Sequence, residues 1–408
     1  MIKQNLVCKN NFLKKDLSKK FSQKLLKEFK KIIEEVNLEI NNNKKLLSVL
    51  NKDYRFNFNL NDFKKFKKFK TIALVGMGGS VLGTEAIYNF LAKKIKKKVY
   101  FFNNLDFEKI IRFKKKEKKN KVLFLIISKS GNTLETLSNL FSLNIIKKNS
   151  KNIIIITKKK NSFLSRLVDK FNLFYVEHNK FVGGRYSVLS EVGILPSYLI
   201  GINIFKLRSQ IREYLKGKNK LFLKESSINL AKIMLLKKKK NLIFLNYVPE
   251  LENFLYWCQQ LIAESLGKKG KGFLPVISNV PKDHHSLLQL YLDGPKDKLF
   301  YIFSFKKKEE TNEKINLNKI SLKKNFLHNK KLSTIKEAQK NAMIKSLKKN
   351  KISFREFKLN NIKEDVLGKL FSYFMLETII LAKLVNLNPF DQPAVEQVKI
   401  DTKKLISK

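Results

Sequence analysis

Short apolar runs alternate with amphipathic stretches over most of the chain. In the first fifty residues, apolar side chains recur every three or four positions, which predicts helix; they are Leu17, Phe21, Leu25, Phe29, Ile32, Ile33 and Val36. From Thr71 the pattern changes to short β-branched runs without alternation, which is typical of strands covered on both faces of a parallel sheet. These predicted strands are Thr71–Val75, Lys98–Phe102, Val122–Ile127, Ile153–Ile156 and Leu173–Val176.

A second series of apolar runs follows the first after a lysine-rich stretch. It predicts strands at Asn241–Leu245, Leu299–Phe305 and Ile352–Phe357, and helices over 249–266, 333–349 and 363–386. Strands that alternate with helices predict an α/β chain with two tandem, doubly wound domains and mainly parallel sheets. We divide the chain into an N-terminal helical arm (1–55), a first domain (56–215), a second domain (216–385) and a C-terminal helical tail (386–408).

The composition is that of an ordinary globular protein except for its charge. Hydrophobic residues make up 43% of the 408 residues, but the formal net charge is +51. Such a charge alone favours nucleic-acid or anionic-membrane binding. However, the excess is almost all lysine and is spread along the chain, whereas recognition of phosphates and base edges favours arginine. The pattern therefore indicates a solvated surface that attracts anionic substrates, and we expect no nucleic-acid partner.

The cysteine content and the apolar runs bear on location. Two cysteines, Cys8 and Cys258, are too few for a disulfide framework, and the first residues lack the long apolar core of a secretion signal. No uninterrupted apolar run is long enough to span a bilayer. We therefore expect a cytoplasmic protein without membrane contacts.

Two predicted strands of the first domain end in loops that suit an anion. Gly76–Gly83 is rich in glycine, and Ser128–Thr136 is rich in hydroxyls. Glycines let the backbone approach a ligand, and the helix that follows offers free N–H groups. Either loop alone is equally compatible with a tight turn before a capped helix. Together they predict a phosphate site, and the glycine spacing, which fits no nucleotide fingerprint, favours a phosphosugar.

Four residues distant in sequence are candidates for acid–base chemistry. Glu264 lies one helical turn after Gln260 in an otherwise apolar stretch, and Arg185 follows two glycines. His285 belongs to a histidine pair, and Lys399 lies near the end of the chain. Taken alone, Glu264, His285 and Lys399 are each at least as compatible with a structural or solvated role. Moving a proton between neighbouring sugar carbons nevertheless needs a base, a proton donor and a cation of these kinds.

In order along the chain, these motifs resemble the glucose-6-phosphate isomerase family over roughly residues 70 to 402. The matching segments are Gly76–Ser80, Ser128–Thr136, Gly183–Ser187, Glu264 with Gly267-Lys268, His285, and Gln392-Pro393 through Lys399. Any one of them is weak, but the ordered set is specific. The resemblance implies two domains of the SIS (sugar isomerase) type.

The resemblance also implies an activity and a role for each matching residue. The activity is reversible isomerisation of glucose 6-phosphate and fructose 6-phosphate through a cis-enediol, in glycolysis and gluconeogenesis. Glu264 would be the base, His285 would assist ring opening with Lys399 contacting the same region, and Arg185 would stabilise the enediolate. The residues that would bind the phosphate and the sugar are Gly79, Ser80, Ser128, Lys129, Ser130, Thr133 and Gln260. The resemblance implies no metal or organic cofactor, and it implies a homodimer in which His285 crosses to the neighbouring subunit.

Some positions depart from the family pattern. The second loop has Ser130-Gly131-Asn132 where many members have Thr-Phe-Thr, and Val398 stands where glycine is usual. His284 replaces a usual glutamine. An isomerase acting on another phosphosugar, and a non-catalytic sugar-phosphate sensor, therefore remain alternatives.

Overall fold

The structure is a computed structural model that describes residues 5–159, 161–306, 313–318 and 325–407. Within these residues, the strands form two five-stranded sheets. In chain order the strands are β1 (Leu6–Asn11), β2 (Thr71–Gly76), β3 (Lys98–Phe102), β4 (Val122–Ile127), β5 (Ile153–Thr157), β6 (Phe174–Glu177), β7 (Asn241–Asn246), β8 (Leu274–Asn279), β9 (Lys298–Phe305) and β10 (Phe354–Leu359).

Helices connect the strands and cover both sheets. They are α1 (Ser22–Ile40), α2 (Leu60–Phe63), α3 (Leu82–Phe90), α4 (Phe107–Lys116), α5 (Leu134–Leu143), α6 (Phe163–Phe171), α7 (Glu191–Ile200), α8 (Ile204–Arg208), α9 (Gly217–Leu235), α10 (Glu252–Leu266), α11 (His284–Leu292), α12 (Leu332–Lys349), α13 (Glu364–Leu384) and α14 (Glu396–Ile406). In the part of the chain that the structure describes, no helix has the length and apolar character needed to cross a membrane.

The topology is that of parallel α/β sheets. The first sheet has the order β3-β2-β4-β5-β6, and all its pairs are parallel. The second has the order β1-β10-β9-β7-β8, and only its edge pair β1–β10 is antiparallel. The predicted α/β class with mainly parallel sheets is therefore confirmed.

Eight of these strands match the predicted runs to within two residues, but β1 and β8 were missed. The sequence pattern predicts helix throughout the first fifty residues, whereas Leu6–Asn11 is a strand paired with β10. Both missed strands are edge strands with a single neighbour. β8 also carries a proline at its second position, Pro275, which weakens its strand pattern. Pairing with a distant strand, rather than local sequence, stabilises such segments.

One continuous hydrophobic core joins the two sheets. The strands β2 and β4 are buried almost end to end, as their unbroken apolar sequences require. The side chains of Leu74 and Leu125 from the first sheet belong to the same cluster as Phe244 and Tyr301 from the second. The two sheets therefore share buried surface.

A buried ion pair crosses the core of the second sheet. The side chain of Arg355 on β10 is fully buried and forms hydrogen bonds of 2.8 and 3.0 Å to the carboxylate of Glu377 on α13. The same guanidinium donates to Asn10 Oδ1 of β1 at 2.9 Å and to Ser226 Oγ of α9 at 3.0 Å, and it also bonds Tyr373. One side chain thus ties β1, α9 and α13 to β10.

Arg355→Met should destabilise the protein severely, because it leaves the carboxylate of Glu377 buried without its partner. We expect a loss of about 3–5 kcal/mol in the free energy of unfolding, measured by urea denaturation. The double variant Arg355→Met/Glu377→Leu should be less destabilised than Arg355→Met alone. Lys31→Met is the control, because the Lys31–Glu28 pair is exposed, and it should cost less than about 1 kcal/mol. Equal losses for Arg355→Met and Lys31→Met would contradict a structural role for the buried pair.

Candidate active site

The two predicted anion loops leave the same edge of the first sheet. Strands β2 and β4 are parallel neighbours, with Gly76 opposite Ile127 at their ends. The loop after β2 makes a single turn at Gly78–Ser80 and leads into α3. The loop after β4 leads into α5. Ligands of open α/β sheets bind at this carboxyl edge.

Three hydroxyls of the second loop converge. Ser128 Oγ lies 2.8 Å from Thr133 Oγ1 and 3.5 Å from Ser130 Oγ, and Ser130 Oγ lies 3.3 Å from Thr133 Oγ1. Thr133 is the N-cap residue of α5, but its side chain caps no helical N–H group. Its hydroxyl is therefore directed into the cluster, where the helix N-terminus also favours negative charge. We call Ser128, Ser130 and Thr133 the hydroxyl cradle.

The start of α6 fixes the shape of the hydroxyl cradle. Gly131 has a φ of +68°, which favours glycine, and a Cβ atom there would lie 2.2 Å from Ser162 Oγ. The side chain of Asn132 accepts a hydrogen bond from the backbone of Phe163 at 2.8 Å. These contacts hold the loop against the neighbouring helix and restrict the arrangement of the three hydroxyls.

The surroundings of the hydroxyl cradle are cationic. Burial, reinforced by the charge of Lys158, lowers the pKa of Lys129 to about 8. Burial likewise lowers the pKa of His178, at the end of β6, to about 4, and both lysines act in the same direction. His178 is therefore neutral near pH 7. The two lysines give this edge of the sheet a positive potential that suits a phosphate dianion.

The first loop packs directly on the segment that carries Arg185. A Cβ atom on Gly79 would lie 2.2 Å from the carbonyl carbon of Gly184. Ser187 Oγ donates to the carbonyl oxygen of Gly184 at 2.7 Å and also lies 3.2 Å from that of Gly79. The close approach of two backbones fixes Arg185 beside the first loop.

Arg185 and Glu264 form an ion pair next to this loop. Arg185 Nη1 donates to Glu264 Oε2 at 2.9 Å; the arginine side chain is 4% exposed and the glutamate side chain 29%. Gln260 Nε2 donates to Glu264 Oε1 at 2.9 Å. The same nitrogen would lie 2.8 Å from a Cβ atom on Gly78. Among the described residues, the buried Gln260 Oε1 has no hydrogen-bond partner, which is unusual for a buried acceptor.

The remaining donors of Arg185 bind other parts of the chain. Its Nε donates to Ser265 Oγ at 2.9 Å, and its Nη2 donates to the carbonyl oxygens of Pro389 at 2.5 Å and Asp391 at 3.1 Å. The hydroxyl of Tyr186 lies 2.8 Å from Ser265 Oγ and donates to the Pro389 carbonyl at 3.0 Å. The guanidinium is thereby held in one orientation.

The two neighbouring histidines differ in environment. His284 Nε2 lies 3.1 Å from the hydroxyl of Tyr247, and burial together with the charge of His285 lowers the pKa of His284. His285 is exposed in the first turn of α11. Within the described ranges, no hydrogen bond joins His285 to Glu264 or Arg185.

Lys399 lies on the exposed helix α14. It forms an ion pair with Glu396 at 2.7 Å, and both side chains are more than half exposed. Every residue from 391 to 401 is exposed. Within one chain the structure thus brings together Arg185, Glu264, Gln260 and the first loop, at the same edge of the first sheet as the hydroxyl cradle, whereas His285 and Lys399 lie on the surface.

Several residues of the site have no role assigned from the sequence. Tyr186, Ser187 and Ser265 each hold Arg185 or the segment that carries it. Tyr186 and Ser187 belong to the matching segment Gly183–Ser187, and the only sequence signal of Ser265 is its position directly after Glu264. In the described part of the chain, no group of three or more His, Cys, Asp or Glu side chains is arranged to hold a metal ion.

Comparison with known proteins gives consistent results. The sequence profile of the family described as phosphoglucose isomerase matches residues 52–408. The glucose-6-phosphate isomerase of Methanocaldococcus jannaschii is 35% identical over 366 residues, which cover 85% of this chain and 87% of that protein.

Two solved structures have a similar fold. A hypothetical protein from Thermus thermophilus superposes with a TM-score of 0.79 at 23% identity, covering 98% of this chain and 100% of that one. A glucose-6-phosphate isomerase from Chlamydia trachomatis gives 0.70 at 19% identity, covering 85% and 71%.

Gly79→Ala should disrupt the contact that places Arg185. The added methyl group meets backbone atoms that cannot rotate away, so we expect a loss of about 1–3 kcal/mol in the free energy of unfolding. Gly184→Ala is the matched control: its Cβ atom would lie 3.9 Å from Gly79 Cα, an ordinary contact, and should change stability by less than about 1 kcal/mol. Thermal or urea denaturation measures the stability of both variants. Equal losses would show that the close approach of Gly79 to Gly184 does not contribute to stability.

Proposed function

The chain belongs to the phosphoglucose isomerase family, and we propose that it catalyses the reversible isomerisation of glucose 6-phosphate and fructose 6-phosphate. It is thus an enzyme of the intramolecular aldose–ketose isomerase class. The observation that carries the chemistry is the Arg185–Glu264 pair, which the first loop holds at the same sheet edge as the hydroxyl cradle. A base and a fixed cation there are the groups that this reaction needs.

In this proposal the hydroxyl cradle and Lys129 hold the phosphate group. Hydroxyls, the N–H groups at the start of α5 and a nearby cation are the usual ligands of a phosphate dianion. Gly79 and Ser80 let the first loop approach the substrate closely. Gln260 Oε1 accepts a hydrogen bond from a sugar hydroxyl, which orients the open chain over Glu264.

Glu264 then transfers one proton between two carbons. Its carboxylate takes the proton from C2 of the open-chain aldose, and the C–H electron pair forms the C1–C2 double bond while the C1 carbonyl oxygen gains negative charge. O1 gains a proton to give the cis-enediol, and the O2 hydroxyl then loses one, so that one proton passes in net from O2 to O1. As O2 loses its proton, C2 becomes a carbonyl, and Glu264 returns its proton to C1. Arg185 stabilises the enediolate charge, because its guanidinium is held in place before the charge develops.

The proposal includes a homodimer in which His285 and Lys399 act at the sugar ring. His285 is exposed on α11, and no hydrogen bond joins it to Glu264 among the described residues, which supports its supply by a neighbouring subunit. Exposed apolar side chains lie on the same elements or near them and would be covered by a second copy; they include Leu274, Leu290, Val398 and Leu405. Such an arrangement makes the interface isologous and the two sites equivalent.

The domain division remains part of the proposal. The first sheet lies within residues 56–215, and strands β7–β10 lie within 216–385, whereas β1 comes from the arm. We also propose a cytoplasmic location. Hexose phosphates are charged and do not cross bilayers, so the enzyme acts where they are formed, and the free thiols of Cys8 and Cys258 fit a reducing compartment.

The direct test is a coupled assay on the purified protein. Fructose 6-phosphate should be converted to glucose 6-phosphate, detected by a dehydrogenase specific for that product. Mannose 6-phosphate and glucosamine 6-phosphate in the same assay series test the alternative phosphosugars, because the second loop differs from that of many family members. Binding of fructose 6-phosphate without turnover would identify a sensor and overturn the proposal.

Glu264→Gln should remove the base while retaining the size of the side chain. We expect kcat to fall about 10²–10⁴-fold, because proton transfer by a positioned side chain contributes that much. Glu252→Gln, the same substitution in the first turn of the same helix, is the control and should keep wild-type kcat. A Glu264→Gln enzyme with unchanged kcat would place the base elsewhere.

Mixing two inactive variants tests whether His285 crosses between subunits. His285→Ala and Glu264→Gln homodimers should each be nearly inactive. If they exchange subunits at random, half of the dimers are mixed, and each mixed dimer has one intact site, so activity should return to about a quarter of the wild-type value. No recovery in samples shown by native mass spectrometry to contain mixed dimers would place His285 in its own subunit's site.

A further inference from the structure

The base of the C-terminal tail is held by basic side chains that bind backbone carbonyl groups. Lys271 Nζ donates to the carbonyl oxygen of Val385 at 2.8 Å, immediately after α13. Lys268 Nζ donates to the Asn388 carbonyl at 2.5 Å and to Asp391 Oδ1 at 2.6 Å. Both lysines follow the end of α10, the helix that carries Glu264.

Lys268 binds both ends of the short segment that also binds Arg185. Its two acceptors belong to residues 388 and 391, and the acceptors of Arg185 Nη2 are the carbonyls of residues 389 and 391. The two cations thus share the segment 388–391, which we call the tail anchor. If Lys268 releases Asn388 and Asp391, the segment whose carbonyl groups orient Arg185 loses the two hydrogen bonds from Lys268.

The side chain of Lys268 is mostly buried, although both of its hydrogen bonds lie at the surface. Its side chain is 12% exposed, whereas that of Asp391 is 50% exposed. The ammonium group of Lys268 therefore binds the tail anchor, whereas most lysines of this chain are solvated. Beyond the anchor, residues 391–401 are exposed, so the anchor is where the tail that carries Lys399 is attached to the fold.

We propose that Lys268 is a positioning residue that locks the tail anchor, and thereby fixes both the orientation of Arg185 against Glu264 and the point from which the tail with Lys399 departs. This inference rests on the proposed isomerase function for its kinetic part only. Lys268 touches neither the substrate nor the reacting atoms. It acts through Asn388 and Asp391.

Lys268→Met tests this, because it removes the ammonium group and keeps most of the length of the side chain. Hydrogen exchange followed by mass spectrometry should show faster exchange across the tail anchor and the start of α14, with the two sheets unchanged. In the coupled assay, kcat should fall about 10- to 100-fold, since small displacements of catalytic groups cost that much. KM should change less, because the hydroxyl cradle is intact.

Two further variants make the result specific. Lys269→Met changes the neighbouring exposed lysine and should behave as wild type in both measurements. Lys268→Arg keeps a cation in reach of the same acceptors and should restore part of the lost kcat and protection. Asp391→Asn should accelerate exchange in the anchor as Lys268→Met does, and the double variant should add little.

The outcomes separate this inference from the proposed function. An unchanged rate of hydrogen exchange in the tail anchor of Lys268→Met would show that Lys268 does not hold the anchor. Faster exchange with unchanged kcat would overturn the positioning role. If the wild-type protein has no isomerase activity, the proposed function fails, whereas the exchange measurements still decide whether Lys268 holds the anchor.

Discussion

A buried guanidinium must have its donors satisfied, and meeting this requirement at Arg185 organises the site. Removing an arginine from water is costly unless hydrogen bonds and an opposite charge compensate. Here the compensation comes from two distant parts of the chain: Glu264 and Ser265 on α10, and the carbonyl groups of Pro389 and Asp391 after α13. The residues that satisfy Arg185 therefore also bring the carboxylate of Glu264 and the base of the tail to one place.

Close backbone packing supplies the other half of the arrangement. Gly79 allows the first loop to lie against Gly184, in the segment of Arg185, at a distance that a side chain on Gly79 would prevent. The first loop and the hydroxyl cradle leave adjacent parallel strands, so the sheet itself sets the spacing between them and, in the proposed function, between the phosphate end and the reactive end of the sugar. Rigid elements thus set the distances on which the chemistry depends.

The sequence predicts local features well and distant pairings only in part. The buried strands can be predicted because both of their faces are covered, which gives unbroken apolar runs. The hydroxyl cradle can be predicted because its members are neighbours in sequence. Glu264 and Arg185 lie 79 positions apart, and no periodicity links them. Only the resemblance to a family predicts that they act together. Ser265 and Lys268 act through bonds to other segments, which a local pattern does not encode. The edge strands β1 and β8 were missed for the same reason.

The antiparallel pairing of β1 with β10 has a consequence for how the chain is made. Leu6 lies opposite Leu359, so β1 leaves the ribosome long before its partner strand β10, and the second sheet can be completed only after β10 has been synthesised. The first sheet, by contrast, uses strands within residues 71–177 and can close during translation. Until β10 emerges, Leu6 and the other apolar residues of β1 have no native partner strand. A chaperone that binds nascent chains would protect β1 during that interval.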